Sequence, residues 1–348
     1  MKQESKGLNW MKLILVAMLT MTMLALAACG NGESTEQVNQ SDVVAGQNGA
    51  EGSEAGQATD ETKADDGASA EAVTSQTTYP LTATDITGAT VVLQQEPQRI
   101  VSLVASETEI AFAVGAGERV VGVDEYSNYP EQVAELTKVG DMNTNIEAVI
   151  GLNPDLILAS STMNGEAIEK LRQLGLNVFA SDPLTYDETV AHIEQIAVLL
   201  NTQAEAAEVI NNMKGTKEYI ISKLQGVEKR KVYLEFSPGW TIGSGTYMDD
   251  LVNIAGGINV ASGQQGWYEV DGEAIVAANP EVIIYPDFGE EQSSILAGIN
   301  SRPGWEVIDA VKNNEVVVVE NDPLVRVGPR LVDGLSHIAA AIHPELFQ

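Results

Sequence analysis

The sequence predicts an α/β protein built as two units on either side of one long helix. Three observations carry that prediction. Short β-branched runs alternate with helical patterns in both halves of the chain. Between the halves, Thr202 to about Gln225 contains no proline and one glycine, with Ala206, Val209, Ile210, Met213, Tyr219, Ile220 and Leu224 at approximate helical spacing. A twelve-residue segment, Glu147 to Leu158, recurs as Glu273 to Ile284, once on each side of that helix.

The chain opens with Lys2, Lys6 and Lys12 ahead of an apolar run from Leu13 to Ala28, the charged and hydrophobic parts of an export signal. The run is short for a membrane-spanning helix and ends in Leu26-Ala27-Ala28-Cys29, which matches the bacterial lipobox. Residues 1–28 are therefore expected to be a lipoprotein signal peptide and Cys29 a lipidation site on the extracytoplasmic face of the cell membrane, where two or more acyl chains anchor stably. The competing reading is an uncleaved anchor with an incidental thiol. Cys29 is the only cysteine, so no disulfide framework is possible. Residues 29–78 are rich in Gly, Ser, Ala, Gln, Asp and Glu and nearly free of large apolar side chains, a composition expected to give an acidic, disordered tether. The formal net charge of −31 argues against nucleic-acid binding, which needs a basic surface.

Residues 79–201 are expected to form an amino-terminal α/β lobe with strands at Ile100–Leu103, Val120–Val123 and Leu156–Ala159, and residues 227–348 a carboxy-terminal lobe with strands at 232–236, 282–285 and 316–319. Residues 202–226 are the connecting helix. In each repeat copy a short helix should stop at Asn-Pro, because proline forces its predecessor out of the right-handed helical region, and a buried strand should follow.

Taken in order, several segments resemble the helical-backbone, or class III, periplasmic binding proteins that deliver cobalamin, haem and ferric siderophores to ABC importers. The carriers are Arg99 to Leu103 with Thr108-Glu109, Val121 to Val123 with Tyr126 and Tyr129-Pro130, Val139-Gly140-Asp141 leading into the first repeat copy, Met248 to Leu251 with Ala255-Gly256-Gly257, the second copy, Arg302 to Trp305, and Arg326 to Arg330. The resemblance covers about Pro97 to the end. It implies two Rossmann-like lobes with central parallel sheets, joined by the long helix and holding a ligand between them. The segments Tyr126 to Pro130 and Trp267 to Glu273 are most similar to the cobalamin-binding branch. Where that branch presents further tryptophans in the first lobe, this chain has Met142 and Ser160. The partners implied are cobalamin or a related tetrapyrrole or iron chelate and an ABC permease dimer with its cytoplasmic ATPase; the protein itself is expected to be a monomer without a cofactor.

Glu147 and Glu273 hold equivalent positions in the first turns of the two repeat helices. A carboxylate there is favoured by the helix dipole, and Thr144 to Glu147 has capping-box spacing. The resemblance implies a second role, docking on arginines of the two-fold permease, where charge-assisted pairing gives register. Glu109 reads as structural. Ligand candidates follow from the rule that open α/β sheets bind outside the carboxyl ends of their strands. Trp240 lies just past the strand that ends near Phe236, and Tyr126 follows Val123 in the same sense; Trp267, Tyr268 and Asp322 fall in loops that the resembled family lines against its ligand. Tyr129 and Tyr268 read equally well as packing residues, and Trp305 better so. Arg326 could contact ligand or pair with Asp322.

No nucleophile elbow, phosphate loop or His-carboxylate motif points to an enzyme. Gly115-x-Gly117 and Gly243-x-Gly245 lack the third glycine of a dinucleotide fingerprint and read as turns. His192, His337 and His343 lack the spacing of a helical metal site. Haem is the second ligand expectation, with Tyr126, Tyr129, Met142 and Met163 as candidate axial ligands in the first lobe. A non-transport adhesive lipoprotein is the different-class alternative, expected to use repeated β modules instead.

Overall fold

In the computed structural model, which describes residues 76–347, the chain is pinned from Thr77 on. Its backbone N–H donates to Asn201 Oδ1 at 2.8 Å and its hydroxyl to the Val198 carbonyl at 2.7 Å, so pairing begins just inside the segment expected to be tether. The signal segment, Cys29 and the tether up to residue 75 lie outside the described residues.

The antiparallel hairpin β1 (Leu81–Thr84) and β2 (Thr90–Leu93) leads into β3 (Ile100–Ser102), α1 (Ala105–Ala113), β4 (Val120–Val123), β5 (Thr137–Lys138), α2 (Ile146–Gly151), β6 (Leu156–Ser160), α3 (Gly165–Gln173), β7 (Val178–Ser181) and α4 (Tyr186–Leu200). These strands build a five-stranded parallel sheet in the order β5-β4-β3-β6-β7. Helix α5 (Gln203–Lys223) follows, within the predicted bounds and about 32 Å long at 1.5 Å per residue. Next come β8 (Arg230–Ser237), β9 (Trp240–Ile242), α6 (Tyr247–Ile254), β10 (Gly257–Asn259), β11 (Trp267–Glu269), α7 (Gly272–Ala278), β12 (Val282–Asp287), α8 (Ser294–Ser301), α9 (Asp309–Lys312), β13 (Val316–Glu320), α10 (Asn321–Val325) and α11 (Leu331–Ile342). Strands β10, β8, β12 and β13 pair in parallel, and β8, β9 and β11 add an antiparallel extension that the sequence did not announce.

Both faces of each parallel sheet are covered, which is why the strands read as unbroken apolar runs. Alternation then sorts their side chains into different cores. Ile100, Leu156, Leu158 and Phe179 face one core, while Val101, Ile157, Val178 and Ala180 face the other side. In the second sheet Val232, Leu234, Val282 and Ile284 join the first of these cores, while Tyr233, Ile283 and Tyr285 pack with Trp305. The shared core runs through Tyr186, Ile193, Ile210, Met213, Met248 and Leu335, so the two sheets rest on one continuous helical layer. Trp305 is 2% exposed, the packing role expected of it.

The repeat folds as two equivalent helix-to-strand units, α2 to β6 and α7 to β12. Asn153 and Asn279, each before proline, adopt left-handed backbone (φ 47° and 50°), which asparagine tolerates better than most residues. The expected capping box at Thr144 is corrected: helix α2 starts at Ile146, and Asn145 is the cap, its side chain accepting from Ala148 N at 3.0 Å. Asp271 caps α7 in the same place, accepting from Glu273 N and Ala274 N.

Candidate functional site: a cleft between the sheets

The carboxyl ends of β3, β4, β6 and β7 open onto a cavity of about 550 Å³. The first lobe lines it with Val104 to Ser106, Asp124, Tyr126, Ser160, Thr162, Met163 and Ser181 to Leu184; the second contributes Gly245 to Tyr247, Gly266, Trp267 and Val325 to Val327. This is where an open parallel sheet exposes strand ends and loop backbone to a ligand.

Each wall is held from behind. Asp124, 3% exposed, accepts from the Tyr126 N–H at 3.0 Å and from the Ser127 hydroxyl, and Lys138 Nζ donates to the carbonyls of Asp124 and Ser127 at 3.2 and 2.6 Å. The loop carrying Tyr126 is thus fixed while the ring stays 56% exposed. Asp182 gathers the loop after β6, accepting from Ser160 Oγ (2.8 Å), Thr162 N (2.6 Å) and the Ser161 hydroxyl. Below the wall, Glu107 accepts from Ser181 Oγ and pairs with His192 Nε2 at 2.7 Å. Burial pushes the His192 pKa down, but the charge and hydrogen bond of Glu107 outweigh it and the net shift is upward.

Opposite, Trp267 lies 4.5 Å from Phe236 and 6.2 Å from Tyr247, centroid to centroid, and keeps 40% of its surface open. Tyr247 donates to the Val325 carbonyl at 3.1 Å, and burial pushes its pKa up. A Cβ on Gly243 would stand 2.1 Å from the Gln264 carbonyl oxygen. Gly243 therefore serves a close backbone approach that seats Gly266 and Trp267 beside the cavity, whereas Gly245 is the turn the sequence suggested (φ 74°).

Of the sequence-predicted ligand residues, Tyr126, Trp267 and Arg326 come together in the cavity wall. Four do not line it. Trp240 is not in a loop past a strand, because β8 runs to Ser237 and turns back into β9; there Trp240 pairs with Glu269, on the Trp267 face of the ribbon but farther along, and is 45% exposed. Tyr268 falls in a strand as well, so alternation turns it away from Trp267, and its hydroxyl donates to the Ala261 carbonyl at 2.7 Å. Tyr129 is covered on one face by the Arg330 guanidinium at 4.2 Å. Asp322 lies in α10 and is ion-paired with Arg326 (3.0 Å) and Arg330 (3.5 Å). Of the candidate axial ligands, Tyr126 and Met163 reach the cavity, and Met142 and Tyr129 do not.

The sequence reading missed Asp182 and Tyr247, although the strand-end rule applied to β7 points at the first. It gave Glu109 a structural role and offered the Arg326–Asp322 pair as one alternative, but not the ion cluster that joins them. Glu109, 2% exposed, accepts from Arg326 at 2.8 Å and from Arg330 at 2.7 and 2.9 Å across the cleft. Its carboxylate holds the Arg330 pKa up. Glu147 and Glu273 occupy the second position of α2 and α7, exposed and with no ion pair among the described residues.

Similarity to known proteins agrees with this architecture. The family described as periplasmic binding protein matches residues 100–323. The chain is 35% identical over 280 residues to the uncharacterized ABC transporter substrate-binding lipoprotein YvrC of Bacillus subtilis, covering 78% of this chain and 88% of that one. The crystal structure of the periplasmic vitamin B12 binding protein BtuF of Vibrio cholerae superposes with a TM-score of 0.64 at 27% identity, covering 72% of this chain and 99% of that one. The periplasmic heme-binding protein RhuT from Roseiflexus superposes with a TM-score of 0.64 at 26% identity, covering 72% of this chain and 100% of that one. A chain with these two sheets on a shared helical layer, a cleft at the strand ends and this span of similarity belongs to the periplasmic binding proteins, the substrate-binding family that serves ABC transporters.

Proposed function

We propose that this protein is the extracytoplasmic, lipid-anchored substrate-binding component of an ABC importer and that it captures a corrinoid, cobalamin in the first instance, in the cleft. The observation that carries the reading is the pair of open aromatic faces, Tyr126 from one lobe and Trp267 from the other, on one cavity whose remaining lining is largely hydroxyl, carboxylate and aliphatic. Flat aromatic faces suit a macrocycle, and the oxygen acceptors suit the peripheral amides of a corrin ring. A corrinoid is larger than this cavity, so part of it would remain at the mouth. The two similar proteins named for vitamin B12 and haem bracket the ligand class. The haem alternative draws on Tyr126 and Met163, both on the cavity, as axial ligands; a ferric siderophore is the other iron cargo.

In this reading residues 79–201 and 227–348 are the lobes, the helix of 202–226 joins them, and the monomer is held to the membrane through Cys29 after removal of residues 1–28. The shared core limits lobe movement to a small rigid-body adjustment on capture. Glu147 and Glu273, one on each lobe, then meet arginines of the permease dimer, and the ligand passes to it. The test is calorimetric titration of the full chain with cyanocobalamin, hemin and a panel of ferric siderophores, with visible spectra at each endpoint. Saturable cyanocobalamin binding is expected. Binding of hemin or a siderophore alone would move the assignment within the importer class, and no binding at all would leave the adhesive reading.

A further inference from the structure

Among the described residues, Arg326 is the only cation that lines the cavity. It is not free. Its guanidinium donates to Glu109 at 2.8 Å, to Asn128 Oδ1 at 2.7 Å and to the Tyr126 carbonyl at 3.4 Å, and it pairs with Asp322 at 3.0 Å. Arg330 behind it is divided between the same two carboxylates, with Glu109 at 2.7 Å and Asp322 at 3.5 Å. Two arginines and two carboxylates cancel. The other charged groups on the lining are Asp124 and Asp182, whose oxygens already accept from the neighbouring loops. The cavity thus has an arginine at its wall and no net positive charge. An anionic ligand would meet two carboxylates on the lining and no unpaired cation there, since Lys138 behind Asp124 is turned to the carbonyls of Asp124 and Ser127, and the desolvation penalty works against such a ligand.

We propose that Glu109 is the specificity-determining residue of this cleft. Lying behind the wall and acting through Arg326 and Arg330, it holds the site for ligands without net negative charge, such as an amide-bearing corrinoid, and against carboxylate-bearing tetrapyrroles and anionic iron chelates. This rests on the reading of the cleft as the ligand site and adds the charge class of its cargo. Loss of the Glu109 charge leaves Arg326 with one carboxylate partner in place of two and turns the same wall into an anion acceptor. Because Glu109 and its arginines lie 217 and 221 residues apart and on different lobes, the device exists only in the folded protein.

The experiment titrates the full chain, as wild type, Glu109→Gln and the double variant Glu109→Gln/Arg326→Gln, with cyanocobalamin as the uncharged probe. Metal-free mesoporphyrin IX is the carboxylate probe, since it removes axial ligation from the comparison. Glu109→Gln is expected to raise the mesoporphyrin-to-cyanocobalamin affinity ratio by about tenfold or more, with the gain shrinking as salt rises from about 0.05 M to about 0.5 M. The double variant should return the ratio to the wild-type value. A residue that only holds the lobes together would weaken both probes alike, so an unchanged ratio, or one that does not depend on salt, overturns the proposal. Failure of the corrinoid reading looks different: the wild type would not bind cyanocobalamin, while the gain in mesoporphyrin binding by Glu109→Gln would still be read. If Glu109→Gln does not fold, Asp322→Asn removes the same charge from the other lobe and carries the same expectation for mesoporphyrin binding.

Discussion

Replacing Trp267 with alanine probes the second lobe's contribution to capture. The indole keeps 40% of its surface open toward the cavity. For a side chain that buries up to roughly 250 Å², that leaves about 100 Å² for a ligand to cover. At about 25 cal/mol per Å² this is worth at most about 2.5 kcal/mol. Alanine retains a small part, and the ordering of a ligand at an open mouth offsets more, so about 2 kcal/mol, or roughly 30-fold in Kd, is the expected loss. Trp267→Ala also forfeits ring contacts with Phe236 and Tyr247, each worth about 0.5–1.5 kcal/mol of folding stability, so the denaturation midpoint should fall along with affinity. Calorimetric titration with cyanocobalamin measures the first effect and urea unfolding the second. Trp267→Phe separates them, because it restores most of the packing and part of the open face, and it should recover about half of the lost binding energy. A Trp267→Ala protein that binds within about threefold of wild type would refute the assignment of this wall.

His192 is buried against Glu107 with its pKa raised above the ordinary value, so the folded state holds the proton more tightly than the unfolded chain does. The pair's contribution is full below about pH 6.5 and is lost as pH rises through the higher folded value; urea unfolding across that range should show stability declining with pH, and His192→Gln should flatten the slope, whereas an unchanged slope would remove the pair from the account. The double charge reversal Glu147→Arg with Glu273→Arg should cut uptake of labelled cobalamin by more than about tenfold with Kd unchanged, and normal uptake would discard docking through these helices. Asn153→Ala and Asn279→Ala should each cost about 1–2 kcal/mol in equilibrium unfolding, because alanine pays the left-handed penalty, while glycine at position 153 should be nearly neutral. Asn279→Ala is expected to cost the more of the two, since the Asn279 amide also donates to Asp309 at 2.8 Å; equal losses would mean that this bond contributes nothing.

The repeat was legible because its logic is local. A short helix, an Asn-Pro stop and a buried β-branched run are all written in consecutive residues, and both copies fold as helix, stop and strand, with the glutamate in the first turn. The long helix was legible for the same reason: twenty-one residues without a proline and with apolar residues at helical spacing leave little else to form. One error was itself local, a slip of a single residue in the cap of the first copy. Thr144 has the spacing of a capping residue, but the side chain that reaches the free N–H belongs to Asn145, one residue on.

The ligand wall divides along the same line. Tyr126 follows a parallel strand whose carboxyl end must face the cleft, so the strand-end rule found it from sequence alone. Trp240, Trp267 and Tyr268 depend on an antiparallel ribbon whose register is set by pairing between segments far apart, and a pleat of period two decides which ring faces the cavity. By itself the sequence determined the α/β class, the doubled unit, the joining helix and the strand ends at which a ligand site could open, because each follows from residues within one element. Only the tertiary structure decided which aromatics meet across that site and that its arginine is neutralised by Glu109, because burial, face and charge pairing are properties of elements brought together, and nothing in the spacing of residues 109, 326 and 330 records that they touch.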